Sequence, residues 1–327
     1  MTLAEFAPQF AAFAEKYDQF IICGHIRPDG DSIGSCITIA ERLRLMGKHP
    51  RIYYEGDLSH YPWLTQPVEI LDEKTLSRAT CCRFGWIMVD CAEPARTGEA
   101  AVCADLAETS VCIDHHTNMG EYADYNLIDP GATSASEIIF RLFKALDYPF
   151  NPTMATALFT GIAFDTGGFR HSSMKPEIFG ILQELSKQDV PITRVMNGLF
   201  HTKSMLEMKV LSVIMRKARL YHGRIIVSWL ENSDFLKLGA TSDDCEGAVA
   251  DLAEVEEAEA AVFLRELPNG QVRVNMRSKH FINVAAAAKA FGGGGHVRAA
   301  GCTLSGPMLL AREAVISELA KQLPEDF

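Results

Sequence analysis

The 327-residue chain has no apolar run near the roughly 20 residues that a membrane-spanning helix requires, so no helical membrane protein is expected. It is also short of positive charge: 31 Lys and Arg stand against 42 Asp and Glu, a formal net charge of -11. That balance disfavours a long nucleic-acid track, because phosphate backbones are held mainly by Lys and Arg. Paired cysteines are missing as well. The nine cysteines are an odd number without a C-x-x-C pair, and most sit inside apolar stretches such as VCID (111–114), so they read as reduced core residues. There is no internal repeat, and only GGGG and AAAA are low in complexity. The N-terminus, MTLAEFAPQFAAFAEKYDQF, lacks the basic-then-apolar order of an export signal. Leu3, Phe6, Phe10 and Phe13 recur there at helical spacing, so an amphipathic helix and a cytoplasmic location are expected.

What is present is a large apolar fraction, 48%, in a chain long enough for two domains of usual size. Its first half alternates short apolar strands with amphipathic helices. FIICG (20–24) leads into a helix expected from about Ser32 to Met46, with Ile33, Ile37, Ala40 and Leu43 on one face and Gly47 as its stop. RIYYE (51–55), WIMVD (86–90), VCID (111–114) and NLID (126–129) follow, then a helix opened by the capping box Ser134-x-x-Glu137. Strands and helices alternating at this pitch predict an α/β fold, a parallel sheet with helices on both faces.

Residues 176–218 are expected to be helical with one break, at Pro191. Beyond them, ARLYHGRIIVSWL and AAVFLRELPNGQVRVNMR read as hairpins, the second turning at Pro268-Asn269-Gly270. An acidic helix over about 243–258 separates them, and FINVAAAAKAFGGGGH ends a later helix in four glycines. The expected organisation is a catalytic domain over 1–190, a helical linker over 191–215 and a smaller α/β domain over 216–327.

Open parallel sheets bind ligands beyond the carboxyl ends of their strands. The sequence puts His25, Asp29 and Asp31 after the first strand, Asp90 at the end of WIMVD, and Asp114, His115 and His116 at the end of VCID. Asp165, in FTGIAFDTGGF, follows an apolar helical run. Singly, an Asp at a strand end also serves as a helix cap or turn former, and a histidine pair as surface or packing. Together, aspartates gathered at one sheet edge would repel one another by several kcal/mol without cations. A metal cluster relieves that repulsion, and carboxylates with one or two imidazoles suit Mn²⁺ or Mg²⁺ better than a thiolate-loving zinc. Two such ions about 4 Å apart would serve hydrolysis of a phosphate ester.

The strings GHIRPDGDSIGS, VDCAEPARTG, IDHH and FDTGGF, in that order and followed by GGGGHVRAAG (292–301), resemble the DHH phosphoesterase superfamily with its DHH-associated C-terminal domain. The resemblance covers nearly the whole chain. It implies that His25, Asp29 and Asp90 hold one divalent cation and that Asp31, Asp90, His115 and Asp165 hold a second, with Asp90 as the bridge. It also implies that His116 touches the scissile phosphate and that Asp114 orients the histidines from behind the metals. The implied catalytic set is His116, Asp90 and Asp114; Mn²⁺ is the first choice of ion, with Mg²⁺ and Co²⁺ admissible.

In the second domain, four successive glycines carry a high backbone entropy cost. Bare of side chains, they let backbone N–H groups approach an anion; the alternative is a helix cap with a flexible linker. The resemblance points to a substrate site of Gly293, Gly294, Gly295, His296 and Arg298 with Arg277, Ser278 and Lys279, and to an active site in a cleft between domains. Small two-domain members of the superfamily trim short RNAs and dephosphorylate pAp (adenosine 3′,5′-bisphosphate). NanoRNA, linear dinucleotides or pAp are therefore the implied substrates, and oligoribonuclease or 3′,5′-bisphosphate nucleotidase the implied activity. Cyclic dinucleotide hydrolysis is the alternative. Inorganic pyrophosphatase fits less well, and the full ligand set disfavours a non-catalytic nucleotide sensor. A homodimer is compatible with the sequence. Trp63 and Trp86 read as core, Thr133 as a cleft residue or helix cap, and His171 as a loop residue or substrate contact.

Overall fold

The computed structural model describes residues 1–56, 58–64, 68–91, 93–116, 120, 122–170 and 174–324; His171 lies outside them. The chain divides into two compact units, Met1–Thr202 and Lys203–Phe327.

The first unit runs α1 (Leu3–Lys16), β1 (Gln19–Cys23), α2 (Gly30–Leu45), β2 (His49–Tyr53), β3 (Ile70–Leu71), α3 (Glu73–Ala79), β4 (Gly85–Val89) and a 3-10 segment (Pro94–Val102). It continues with α4 (Cys103–Leu106), β5 (Thr109–Asp114), β6 (Tyr125–Ile128), α5 (Ala135–Ala145), α6 (Pro152–Asp165), α7 (Pro176–Ser186) and α8 (Ile192–Phe200). The strands form one parallel sheet in the order β3-β2-β1-β4-β5-β6. That order reverses direction between β1 and β4, so the connections leaving these two strands diverge and open a crevice at their carboxyl ends. Side chains alternate across the sheet. Phe20 and Ile22 enter one core, and Ile21, Cys23, Trp86 and Met88 the other. Burial on both faces is why these strands read as unbroken apolar runs.

Helix α2 is central and buried nearly all round, not along one stripe. It begins at Gly30, earlier than Ser32, because Asp29 caps it. Gly34 permits close approach of α6, since a Cβ there would lie 2.3 Å from the Ala157 carbonyl oxygen. The expected capping box of α5 is half present. Ser134 accepts from the Glu137 N–H, but the Glu137 carboxylate turns to the Thr133 N–H and hydroxyl, giving Thr133 a place in the cap.

Between 176 and 218 the helix breaks twice, at 187–191 and again at 201–204, where the Ser204 capping box starts a new helix. The division between units falls at this second break. Helix α8 packs on α6 of the first unit, and α9 (Met205–Lys217) packs on the second.

The second unit continues with β7 (Arg219–Tyr221), β8 (Ile225–Leu230), α10 (Asn232–Leu238), a short 3-10 turn (Asp243–Cys245), α11 (Ala248–Ala253), β9 (Ala260–Glu266) and β10 (Val272–Ser278). Then come α12 (Val284–Ala290), β11 (Gly294–His296), β12 (Ala299–Leu304) and α13 (Met308–Ala320). Its sheet has the order β11-β12-β10-β9-β8-β7, antiparallel except for β8 against β9. The acidic stretch 243–258 is not one helix, because Gly247 at φ +80° interrupts it. Nor is GGGG a plain linker. Gly292, at φ +72°, follows α12, and Gly294 and Gly295 continue as edge strand β11.

All nine cysteines are unpaired and seven are buried, whereas Cys81 and Cys82 are exposed, contrary to a core reading of the whole set. Trp63 and Trp86 are buried. Among the described residues no helix is long and apolar enough to cross a membrane.

Candidate metal centre

The residues singled out in the first unit meet at the crevice beyond β1, β4 and β5. Asp29 has two tasks, one for each oxygen. Its Oδ1 accepts from the Asp31 and Ser32 N–H groups, both at 3.0 Å, and its Oδ2 lies 3.5 Å from His25 Nε2. His25 Nδ1 sits 2.9 Å from the Ile26 carbonyl, which leaves Nε2 turned to the carboxylates.

Asp90 follows β4 in the left-handed region, at φ +54°, with its N–H donating to the Ile113 carbonyl. A non-glycine residue at positive φ is uncommon, although Asp tolerates it better than most. Its Oδ2 faces His25 Nε2 at 3.3 Å, and its Oδ1 faces His115 Nε2 at 3.5 Å. Asp90 Oδ1 is buried and makes no hydrogen bond.

Asp31 is fully buried. Its two oxygens accept from the Ala135 N–H at 2.6 Å and the Ser136 N–H at 2.9 Å, so the positive N-terminus of α5 points at this carboxylate. Asp165, at the last turn of α6, places Oδ2 3.1 Å from His115 Nε2. Asp114 Oδ1 accepts from the His115 N–H and from His116 Nδ1, both at 2.8 Å, which directs His116 Nε2 away from Asp114.

Three sets of possible ligand atoms each fall within 4.8 Å: His25, Asp29 and Asp90; Asp31, His115 and Asp165; and Asp90, Asp114, His115 and His116. Asp90 and His115 are common to two sets. Hard oxygen donors with imidazole nitrogens, and a buried carboxylate oxygen lacking a partner, are what a divalent cation satisfies.

Without a cation the cluster holds protons. Burial disfavours a charged His25, but Asp29 and Asp90 outweigh it and carry the imidazole up to about 11. His115, buried but paired to Asp165 and Asp90, rises to about 12. Burial and the neighbouring carboxylates push Asp31 well above the usual range and Asp165 up to about 6. Burial also opposes the Asp90 charge, yet His115 and His25 prevail and hold it below the ordinary carboxylate range. A metal ligand must offer a lone pair, so binding must displace protons from these imidazoles. Affinity for Mn²⁺ is therefore expected to strengthen between pH 6 and 8, by about tenfold per pH unit for each proton displaced. Calorimetry in buffers of different ionisation enthalpy measures this directly. A pH-independent affinity without proton release would contradict it.

In the second unit, Arg277 and Ser278 end β10, and Gly294, Gly295 and His296 form β11. Two glycines are required by packing: a Cβ on Gly293 would lie 2.3 Å from the Gly301 carbonyl oxygen, and one on Gly295 2.5 Å from that of Ala299. Arg298 spends its guanidinium on the Ile282 carbonyl at 2.9 Å and the His280 carbonyl. Ser278 Oγ donates to the Ile282 carbonyl, and Lys279 Nζ to that of Val255, each at 2.6 Å. Arg277 keeps exposed surface, but the protein around its guanidinium desolvates the charge and lowers its pKa from the ordinary value; among the described residues it has no hydrogen-bond or ion-pair partner. The sequence reading missed the α5 N–H groups behind Asp31. Their one signal was the Ser134 cap, which marks where those groups lie but not what they face.

The model of the DHH family, N-terminal domain, matches residues 19–162, and that of the DHHA1 domain matches 222–325. The bifunctional oligoribonuclease and PAP phosphatase NrnA of Thermus thermophilus is 28% identical over 307 residues, covering 92% of this chain and 89% of its own. The protein of the same name in Bacillus subtilis is 26% identical, covering 88% and 90%. Among solved structures, an exopolyphosphatase-related protein of Bacteroides fragilis superposes with a TM-score of 0.90 at 22% identity, over 97% of this chain and 96% of the other. RecJ of Thermus thermophilus in complex with Mn²⁺ superposes with a TM-score of 0.57 at 14% identity, over 98% of this chain and 55% of that one. At these identities the two structures speak for the fold. The chain belongs to the DHH phosphoesterase family, a DHH domain followed by a DHHA1 domain.

Proposed function

We propose that the protein is a cytoplasmic, metal-dependent phosphoesterase that hydrolyses short nucleotide substrates, oligoribonucleotides of a few residues and pAp. The observation that carries this reading is Asp90, whose two oxygens face two different sets of ligand atoms, one around His25 and one around His115. His25, Asp29 and Asp90 would hold one divalent cation, and Asp31, Asp90, His115 and Asp165 a second, with Mn²⁺ preferred for this donor set. Bound there, paired cations supply an acidified water and stabilise the phosphoryl oxygens.

The remaining work belongs to side chains. Asp114 fixes the His116 ring, so that Nε2 can hydrogen-bond a phosphoryl oxygen of the substrate. The α5 N–H groups hold the Asp31 carboxylate in place and favour its charged form, opposing the burial and the charges of Asp165 and Asp90 that drive it towards protonation until a cation binds. In the second unit, Arg277 would take a substrate phosphate bidentately, with β11 and His296 one strand away across β12 and Arg298 holding the loop after β10. Preference for short substrates is supported by the names of the two NrnA relatives and by the net charge of -11, which suits no long phosphate track.

The test is a substrate panel. Purified protein with Mn²⁺ is expected to turn over pApA and pAp, with cyclic di-AMP and pyrophosphate as comparators. No product from any nucleotide, or cleavage of pyrophosphate alone, would overturn the proposal.

A further inference from the structure

The loop between β10 and α12 has its backbone held from both sides. Glu259, buried just before β9, accepts from the N–H groups of His280, Phe281 and Ile282 at 2.8, 2.7 and 3.2 Å. From the other side Arg298 donates to the carbonyls of His280 and Ile282, and Ser278 Oγ donates to that of Ile282. Asn283 exchanges hydrogen bonds with Gln322, and the Val284 N–H donates to the Val297 carbonyl. A buried carboxylate and a guanidinium together fix this turn in one conformation.

What the turn displays is unusual for so firmly held a segment. Phe281 is 48% exposed, and the His280 side chain is 79% exposed. Glu259 Oε2 takes His280 Nδ1 at 3.0 Å, which fixes the ring and turns Nε2 outward. Arg277, without a hydrogen-bond or ion-pair partner among the described residues, lies three residues before His280, near the end of β10. An aromatic face, an oriented imidazole and an unpaired guanidinium on one rigid element match a base with its phosphate better than a protein partner. Stacking gains from a backbone already fixed, since less ordering is then needed on binding.

We propose that Phe281 is a nucleobase-stacking residue, with His280 Nε2 hydrogen-bonding the same nucleotide and Glu259 and Arg298 as positioning residues. This rests on the reading of the protein as a nucleotide phosphoesterase. It assigns base recognition to the 278–282 turn, apart from the glycine run and the metal cluster.

The experiment compares pApA with the corresponding abasic dinucleotide in the full-length protein loaded with Mn²⁺. Phe281→Ala is expected to raise KM for pApA about tenfold, with kcat within about twofold, and to leave the abasic substrate unchanged. Phe281→Trp is expected to restore the pApA value, which a merely structural role would not predict. Equal losses on both substrates, or no change on either, would overturn the inference. Failure of the wild type to cleave any nucleotide would instead overturn the functional reading beneath it.

Discussion

Asp90→Asn is expected to lower turnover of pApA by at least about a thousandfold while the fold is retained. The carboxylate presents one oxygen to His25 and the other to His115, so it belongs both to the candidate set with His25 and Asp29 and to the one with Asp114, His115 and His116. Asparagine keeps the size and, like aspartate, tolerates the left-handed backbone at φ +54°. What it loses is one anionic oxygen, and an amide nitrogen cannot ligate a cation. Calorimetric titration with Mn²⁺ should show fewer than two ions bound, with a melting temperature within a few degrees of wild type. Two ions bound with wild-type affinity would contradict the bridging role.

Gly161→Ala should separate geometry from stability. A Cβ at this position in α6 would lie 2.1 Å from Ser136 Oγ and 2.5 Å from Asp31 Oδ1. Asp31 cannot simply retreat, because two N–H groups of α5 hold it. Overpacking of this kind costs about 1–3 kcal/mol, and replacing a mid-helix glycine by alanine returns about 1 kcal/mol. The net change in stability is therefore small. Activity should nonetheless fall on the order of a hundredfold, since relieving the contact moves the proposed ligand Asp31 by about 1 Å, and a misplacement of that size is that expensive. Gly180→Ala on α7 is the control, as nothing lies within 4 Å of its added Cβ. That variant should gain about 1 kcal/mol of stability and keep full activity. Full activity in Gly161→Ala would contradict the placement of Asp31 in the machinery.

Much of this was legible in the sequence because parallel strands buried on both faces leave a plain signature. FIIC, WIMV and VCID announce themselves, and the polar residue ending each run falls at the ligand-binding edge of the sheet. His25, Asp29, Asp31, Asp90, His115 and Asp165 could thus be grouped before any contact was seen. The strand order could not, because periodicity does not say on which side of β1 the strand β4 lies. The N–H groups that hold Asp31 were equally hidden, since any residue but proline supplies one.

The second unit was harder to read for a different reason. GGGGHVRAAG suggested a backbone cradle, but Gly293 and Gly295 are fixed by the close approach of β12, and Arg298 by loop carbonyls. Packing and binding ask for the same residue types there. Single-residue spacing cannot separate the two. The single acidic helix expected over 243–258 failed for another reason: Glu246 is extended and Gly247 takes φ +80°, which separates the 3-10 turn at 243–245 from α11. Glu259 escaped notice altogether, because an acid at the head of an apolar strand reads as a surface residue until its three N–H partners are seen.

The central claim is that one carboxylate, Asp90, joins two cation sites in the β1–β4 crevice. Anomalous diffraction from crystals grown with Mn²⁺ tests it most directly. Two peaks about 4 Å apart are expected, one beside His25 and Asp29, the other beside Asp31, His115 and Asp165, with Asp90 contacting both. A single peak away from Asp90, or none with these side chains splayed apart, would contradict it.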